Sequence, residues 1–289
     1  MNTRTLYYGI ALFVICVWGT TFVSTKILLD ALSPVEIMFY RYCIAYAALW
    51  VAYPRRHAPG GLREESLFAA AGFFGGTLYF LTENYALQCT LVSNVGLLLA
   101  TAPILTAVAA HFFTGNEKLN KRLGLGFAVA FVGAFFVIFN GRFILKLNPL
   151  GDFLAVAAAC SWAVYSILIK KIGGMYNGIH VTRKVFFYSI LTMLPALFFM
   201  DFRWDITVLH DAKIIAHLLF LGILASSICF LLWSKVIWKL GAVTVNNFIY
   251  LIPLITMIAS VVILSEKITV FAILGGVCIV AGVAISTRR

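Results

Sequence analysis

Ten runs of mostly apolar residues, each about 20 residues long, follow one another along this chain of 289 residues. A helix needs roughly 20 apolar residues to cross the hydrocarbon core of a bilayer. The runs cover about 6–25, 35–53, 67–88, 91–113, 121–140, 151–170, 184–200, 213–233, 242–264 and 268–287. Only 11% of the residues are charged, against about 25% in soluble domains. The sequence therefore predicts an all-α, polytopic membrane protein with ten transmembrane helices and no sizeable soluble domain.

Positive charge predicts the orientation. If the N-terminus is cytoplasmic, 15 of the 22 Lys and Arg residues fall in cytoplasmic segments and 6 in external ones, while Arg41 lies within a span. Cytoplasmic loops are enriched in Lys and Arg. We therefore expect a multi-pass protein of the cell membrane with both termini in the cytoplasm. The basic residues are scattered between the apolar runs and form no face for a duplex, so we expect no nucleic-acid partner.

The two halves of the chain share an ordered set of spacings. Trp18 to Lys26 is a step of eight residues, and so is Trp162 to Lys170. The other matched positions are Pro103, Glu117, Gly126 and Gly133 in the first half and Pro253, Glu266, Gly275 and Gly282 in the second. We therefore predict two repeats, 1–144 and 145–289, of five helices each. Because five is odd, the second repeat enters the bilayer inverted, which is how many secondary transporters are built.

Several of these residues also carry a family resemblance. They are Trp18-Gly19-Thr20-Thr21-Phe22, Lys26, Pro34, Arg41-Tyr42, Tyr85-Ala86-Leu87, Ser93, Ala102-Pro103 and Gly115-Asn116-Glu117-Lys118-Leu119. The set resembles the EamA branch of the drug/metabolite transporter superfamily over nearly the whole chain. The resemblance implies ten helices in two inverted repeats, a central cavity, and export of metabolites, often amino acids. The inserted Asn116 and the Ser265-Glu266 of the second copy depart from the family's Gly-Glu.

Two charged residues lie at similar depths inside consecutive spans. Arg41 is about six residues from the external end of its span, and Glu83 about five from that of the next. A charge at this depth is costly unless it is paired or hydrated. We predict an ion pair or a shared polar network between them. It serves either as a structural bridge between the helices or as a gate or proton-coupling carboxylate.

Other positions suggest a substrate site and hinges. Polar and aromatic residues within the spans, placed inward, would form a mostly aromatic cavity suited to a small amphipathic solute. The predicted substrate-binding residues are Trp18, Thr21, Tyr79, Asn94, Thr101, Trp162, Tyr165, Trp233, Asn246 and Tyr250. Pro103 and Pro253 each bend a span and are candidate hinges. Lys26 and Lys170 either extend to the membrane interface or contact an anionic group of the substrate.

These features predict a secondary transporter that moves a small organic metabolite by alternating access, with amino-acid export leading. Uptake of a sugar and exchange of a phosphorylated metabolite remain as alternatives. An intramembrane enzyme is the rival class, but the chain has no nucleophile or zinc-protease motif. We expect no cofactor and no metal, the lipid bilayer and a small solute as partners, and possible proton coupling. The sequence does not indicate the solute, the coupling ion or the oligomeric state.

Overall fold

A computed structural model describes residues 3–55, 60–90, 92–139, 148–173, 176–200, 202–203, 208, 210–264 and 269–287. At Phe22, Lys26, 92, 93 and 260–264 it describes the backbone alone. The helices in these residues are α1 (Thr3–Leu29), α2 (Pro34–Ala52), α3 (62–89), α4 (92–113), α5 (Lys121–Phe139), α6 (Pro149–Ile172), α7 (Gly178–Phe199), α8 (Ala212–Leu240), α9 (242–264) and α10 (Val270–Thr287).

Nine of the helices in the described residues are long and apolar enough to cross a membrane. The remaining helix, α3, carries Glu64, Glu65 and Glu83 within its 62–89 range. The chain is thus a polytopic, all-α membrane protein of ten helices, as predicted. We call the end of the bundle at which α1 begins and α10 ends the termini face, and the opposite end the far face.

Side-chain caps set several helix boundaries. Ser33 and Glu36 form a capping box at the start of α2, in which each side chain accepts a hydrogen bond from the other residue's backbone amide. Asn177 caps α7 and accepts from the amide of Ile179 at 2.9 Å. Because of this cap, α7 begins at Gly178 rather than near 184, and it includes Arg183, which precedes the predicted run.

The fifth helices of the two repeats, α5 and α10, pack antiparallel. A Cβ on Gly133 would lie 2.6 Å from the carbonyl oxygen of Gly275, and a Cβ on Gly126 would lie 2.8 Å from that of Gly282. From one contact to the next, the residue numbers rise along α5 and fall along α10. This antiparallel packing is the arrangement expected of inverted repeats. Glycine is needed at these positions because the two backbones touch. The glycines matched between the two halves of the sequence therefore contact one another within the chain.

Four helices are irregular, and they correspond between the repeats. The third helix of each repeat contains a π-helical stretch, Phe73–Leu78 in α3 and Phe220–Ile228 in α8. The fourth helix of each is interrupted just before its proline. In α4 the break falls at Ala100 and Thr101, and in α9 a 3₁₀ stretch spans Asn247–Leu251. Pro103 and Pro253 therefore lie at the start of the second part of each broken helix, and their hinge role stays a prediction.

Candidate functional site

Six aromatic side chains from four helices of both repeats meet at mid-depth. This aromatic cluster consists of Trp18, Tyr79, Trp162, Tyr165, Phe230 and Trp233. The ring centroid of Trp18 lies 5.5 Å from that of Trp162 and 4.9 Å from that of Trp233. Trp18 and Trp162 occupy equivalent positions in the two repeats, so the cluster is centred on the interface between them.

The rings of the cluster pack on one another. The Trp18 and Trp162 planes meet at 82°, an edge-to-face geometry, and Tyr79 lies 5.3 Å from Trp162. Such pairs contribute about 0.5–1.5 kcal/mol each beyond their buried area. The sequence predicted a cavity between these side chains. In this conformation Trp162, Tyr165, Phe230 and Trp233 are buried, whereas Trp18 and Tyr79 are half-buried; the cavity stays a prediction.

Two of the three indole N–H groups of the cluster donate to residues of the second repeat. Trp18 Nε1 donates to the carbonyl oxygen of Ala225, in the π-helical stretch of α8, at 3.0 Å. Trp162 Nε1 donates to Asn246 Oδ1 at 2.8 Å. Asn246 Nδ2 in turn donates to Ser166 Oγ at 3.1 Å. Trp233 Nε1 is buried and has no partner among the described residues. The Trp233 indole N–H is thus a donor that a ligand could use, and the Asn246 amide could exchange one of its present partners for a ligand.

The direct ion pair predicted between Arg41 and Glu83 is absent from the structure. The two side chains interact electrostatically, but they form no contact within the 4.0 Å limit for a salt bridge. Arg41 Nε instead donates to Ser226 Oγ on α8 at 3.0 Å, and its guanidinium stands 5.0 Å over the Phe80 ring.

Glu83 is held by the aromatic cluster rather than by the arginine. The Tyr79 hydroxyl, one helical turn earlier on α3, donates to Glu83 Oε1 at 3.3 Å. Arg41 bonds instead to Ser226, which lies across the interface between the repeats. The two charges therefore share an environment without neutralising each other directly, and Glu83 touches the aromatic cluster through Tyr79.

Four other predicted binding residues make contacts outside the cluster. Thr21 and Thr101 donate to carbonyl oxygens of their own helices, those of Trp18 and Leu98. Asn94 Nδ2 donates to Thr90 Oγ1 at 3.3 Å, near the far face. Tyr250 is buried against Phe127 of α5, with ring centroids 6.4 Å apart. Their part in substrate binding stays a prediction.

Sequence reasoning missed three members of this region. Phe230 joins the cluster from α8, where nothing distinguishes it from the chain's other phenylalanines. Ser166 was also missed, although it lies one turn beyond Trp162 on α6 and therefore on the same helix face.

The third missed residue, Glu117, forms an ion pair with Lys170. Lys170 Nζ lies 2.8 Å from Glu117 Oε2. The two roles predicted for this lysine stay predictions. The signal was present in the sequence, since both residues recur at equivalent places in the two repeats. Their counterparts, Lys26 and Glu266, lie outside the described side chains.

Several other buried polar atoms have no hydrogen-bond partner in the part of the chain described. They are the hydroxyls of Tyr42, Thr106 and Tyr250 and both side-chain polar atoms of Asn247. A buried polar group without a partner costs about 1–3 kcal/mol, so water or a ligand is expected at such places. The described His, Cys, Asp and Glu side chains form no group of three that could hold a metal ion.

The comparisons with known proteins decide the family. The model of the EamA-like transporter family matches the chain twice, over residues 5–139 and 149–288. The chain belongs to the EamA-like transporter family. The boundary predicted between 144 and 145 lies outside the described residues and stays a prediction.

Relatives of this EamA-like transporter match it end to end. An "uncharacterized transporter" of Archaeoglobus fulgidus is 26% identical over 100% of this chain and 99% of its own length. A "probable amino-acid metabolite efflux pump" of Escherichia coli is 26% identical, covering 96% and 93%. A "probable terminal-alkyne amino-acid exporter" of Streptantibioticus cattleyicolor is 25% identical, covering 94% and 90%.

A solved crystal structure supports the fold alone. It superposes on this EamA-like transporter with a TM-score of 0.80 and 20% sequence identity, and it covers 99% of both chains. The family and these relatives make the chain a membrane transporter. They do not fix the solute.

Proposed function

We propose that this protein exports a small organic metabolite, an amino acid or a close relative of one, across the cell membrane by alternating access. The observation that carries the proposal is the aromatic cluster, which joins equivalent tryptophans of two inverted repeats at mid-depth. Two similar halves of opposite orientation can adopt two states of similar energy, one open to each face. Two relatives are named as an amino-acid exporter and an amino-acid metabolite efflux pump, which supports the same reading.

The composition of the cluster favours an amphipathic solute. Its surfaces are aromatic, and its polar groups are an amide, a hydroxyl and an indole N–H, all of them neutral. Aromatic faces bind apolar or cationic groups, and the few polar groups fix orientation. A multiply charged phosphate would need several bidentate cations, which the cluster does not supply. Sugar uptake remains the second candidate, since sugars stack on aromatic rings.

We orient the termini face toward the cytoplasm, because 15 of the 22 Lys and Arg residues fall on that side of the predicted topology. The direction of net transport then depends on the driving force. We assign that role to protons, with Glu83 as the coupling group. Glu83 is buried, no cation of the described side chains lies within salt-bridge distance of it, and it reaches the cluster through its bond to Tyr79. Protonation of Glu83 would change the acceptor that orients the Tyr79 hydroxyl.

The test is flux in reconstituted liposomes. Radiolabelled amino acids, sugars and a sugar phosphate are each offered to protein-containing and protein-free vesicles. We expect saturable flux of at least one neutral or zwitterionic amino acid and none of the sugar phosphate. Saturable flux of the sugar phosphate alone would contradict the proposal, and no saturable flux of any solute would favour the enzyme class.

Two matched variants then locate the site. W162F removes the indole that bonds to Asn246, whereas W50F changes a tryptophan that is 43% exposed on α2. We expect W162F to raise KM by about tenfold, which corresponds to the loss of a hydrogen bond and part of a ring contact. W50F should leave KM unchanged. Equal effects of the two substitutions would remove the cluster as the substrate site.

A further inference from the structure

We propose that Glu117 and Lys170 form the gate that closes the transport path at the termini face, and that this pair must separate before that face opens. The proposal rests on the alternating access of the proposed function. It assigns a role to two residues outside the aromatic cluster. The pair joins the stretch between α4 and α5 to the end of α6, and so joins the first repeat to the second at this end. Lys184 and Glu65 form another ion pair between the repeats at the same face, but they join α7 to α3.

The position of the pair relative to the cluster fits a gate. Lys170 follows Trp162 by eight residues on α6, which places it about 12 Å nearer the termini face at 1.5 Å per residue. Ser166 lies between them, bonded to Asn246 of α9. A solute leaving the cluster toward the termini face along α6 therefore meets the Ser166–Asn246 contact first and the charge pair next.

Glu117 touches a third chain segment at the same point. Gly241, between α8 and α9, has a φ of 93°, a conformation that favours glycine. A Cβ added there would overlap Glu117 Oε1. The carboxylate therefore lies directly against the α8–α9 turn while it bonds to the end of α6. Nearby, Trp238 Nε1 donates to the Ile169 carbonyl oxygen at 2.7 Å, which holds the ends of α6 and α8 together.

The same pair is suited to opening. Lys170 is 22% exposed and Glu117 9% exposed, so water already reaches the lysine and can replace its partner. Glu117 belongs to the non-helical stretch 114–120 between α4 and α5, so its movement does not require a helix to unwind. A fully buried pair would leave a stranded charge on separation. This one can break and reform with the movement of the repeats.

The test measures access to the path and needs no known substrate. A background without the native cysteines receives Ser166→Cys, between the cluster and the gate, and is reconstituted in liposomes of defined orientation. A membrane-impermeant maleimide is applied from one face at a time. E117Q and K170M are compared with K171M, which changes the neighbouring lysine that stands 5.6 Å over the Phe113 ring. The charge exchange E117K/K170E is the rescue variant.

We expect E117Q and K170M to raise the labelling rate from the termini face by about tenfold, within the range of a lost charge-assisted hydrogen bond. Labelling from the far face should not rise. K171M should match the parent, and the charge exchange should restore the slow rate. An unchanged rate in E117Q would overturn the gate. So would faster labelling from both faces together with a lower melting temperature, since that result indicates a purely structural bridge.

The flux and labelling experiments together distinguish a failure of the gate from a failure of the proposed function. If the parent protein shows saturable flux while the labelling of E117Q equals that of the parent, only the gate is wrong. If no variant is labelled preferentially from either face and no solute is transported, alternating access itself is wrong.

Discussion

Gly133 tests the inverted packing of the two repeats most directly. A Cβ there would lie 2.6 Å from both the Gly275 carbonyl oxygen and the Ile279 nitrogen. Non-bonded heavy atoms attract best at about 3.5–4.0 Å. The Cβ of Gly133→Ala would therefore lie about 1 Å too close to these backbone atoms, which cannot rotate away as a side chain can. The helices α5 and α10 must therefore separate, and they make the most extensive helix contact in the part of the chain described.

The expected cost follows from that separation. A gap of 0.5–1 Å forfeits about a quarter to a half of each contact along the interface. Overpacking of this kind typically costs about 1–3 kcal/mol. With about 2–4 °C of melting temperature per kcal/mol in domains of 150–250 residues, we expect Gly133→Ala to lower the melting temperature by about 2–12 °C.

Thermal unfolding in detergent, followed by tryptophan fluorescence, measures this shift. Gly124→Ala is the matched control, because a Cβ on that glycine of the same helix meets nothing within 4 Å. The control should be neutral or slightly stabilising, since alanine favours helix over glycine by about 1 kcal/mol. If Gly133→Ala unfolds at the temperature of Gly124→Ala, the antiparallel α5–α10 contact described here is wrong.

Two predictions concern pH. Burial raises the pKa of Glu65, but hydrogen bonds from Lys184, Tyr188 and the Gly60 amide outweigh it and leave the pKa below its ordinary value. The unfolded chain then takes up the proton first, so the stabilisation is present above pH 4.5 and is lost as pH falls through the lower, folded-state pKa. The melting temperature of the native protein should fall more steeply with acid than that of Glu65→Gln, and parallel curves would refute this. In liposomes, Glu83→Gln should transport at a rate that no longer responds to a pH gradient, whereas Glu64→Gln should respond as the native protein does; an unchanged response in Glu83→Gln would remove the coupling role.

The architecture was predictable because the bilayer leaves few alternatives. A run of 20 apolar residues must form a helix, since lipid offers no partner for its backbone groups. The spacing of Glu117, Gly126 and Gly133 against Glu266, Gly275 and Gly282 then indicated the repeat. The ends of the helices were harder to predict from the sequence. The start of α7 depends on the Asn177 cap, a local hydrogen bond that apolar periodicity does not report.

The side-chain partners were predicted less well, because they depend on how helices pack rather than on depth. Arg41 and Glu83 were matched by depth in neighbouring spans, yet Arg41 bonds to Ser226, 185 residues away in sequence. Depth alone does not give the rotation of a helix about its axis. Conversely, Trp18 and Trp162 were identified from repeat equivalence, and they do touch. That contact was not among the predictions, but it joins two positions that the inverted symmetry makes equivalent.

The symmetry of the fold is not matched by its chemistry, and this bears on coupling. Counting from Gly75 and Gly222 in the two π-helical stretches, Tyr79 and Glu83 of α3 correspond to Ser226 and Phe230 of α8. The carboxylate thus exists in one repeat only, and its counterpart is an aromatic ring of the cluster. When inverted repeats exchange conformations, positions that carry the same side chain in both repeats exchange equivalent environments, whereas Glu83 has an aromatic ring as its counterpart and has no equivalent carboxylate to exchange with. The free energy of the Glu83 side chain must therefore differ between the two states, and a proton on Glu83 changes that difference. This asymmetry is the physical reason to look for coupling at Glu83 rather than among the residues that the two repeats share.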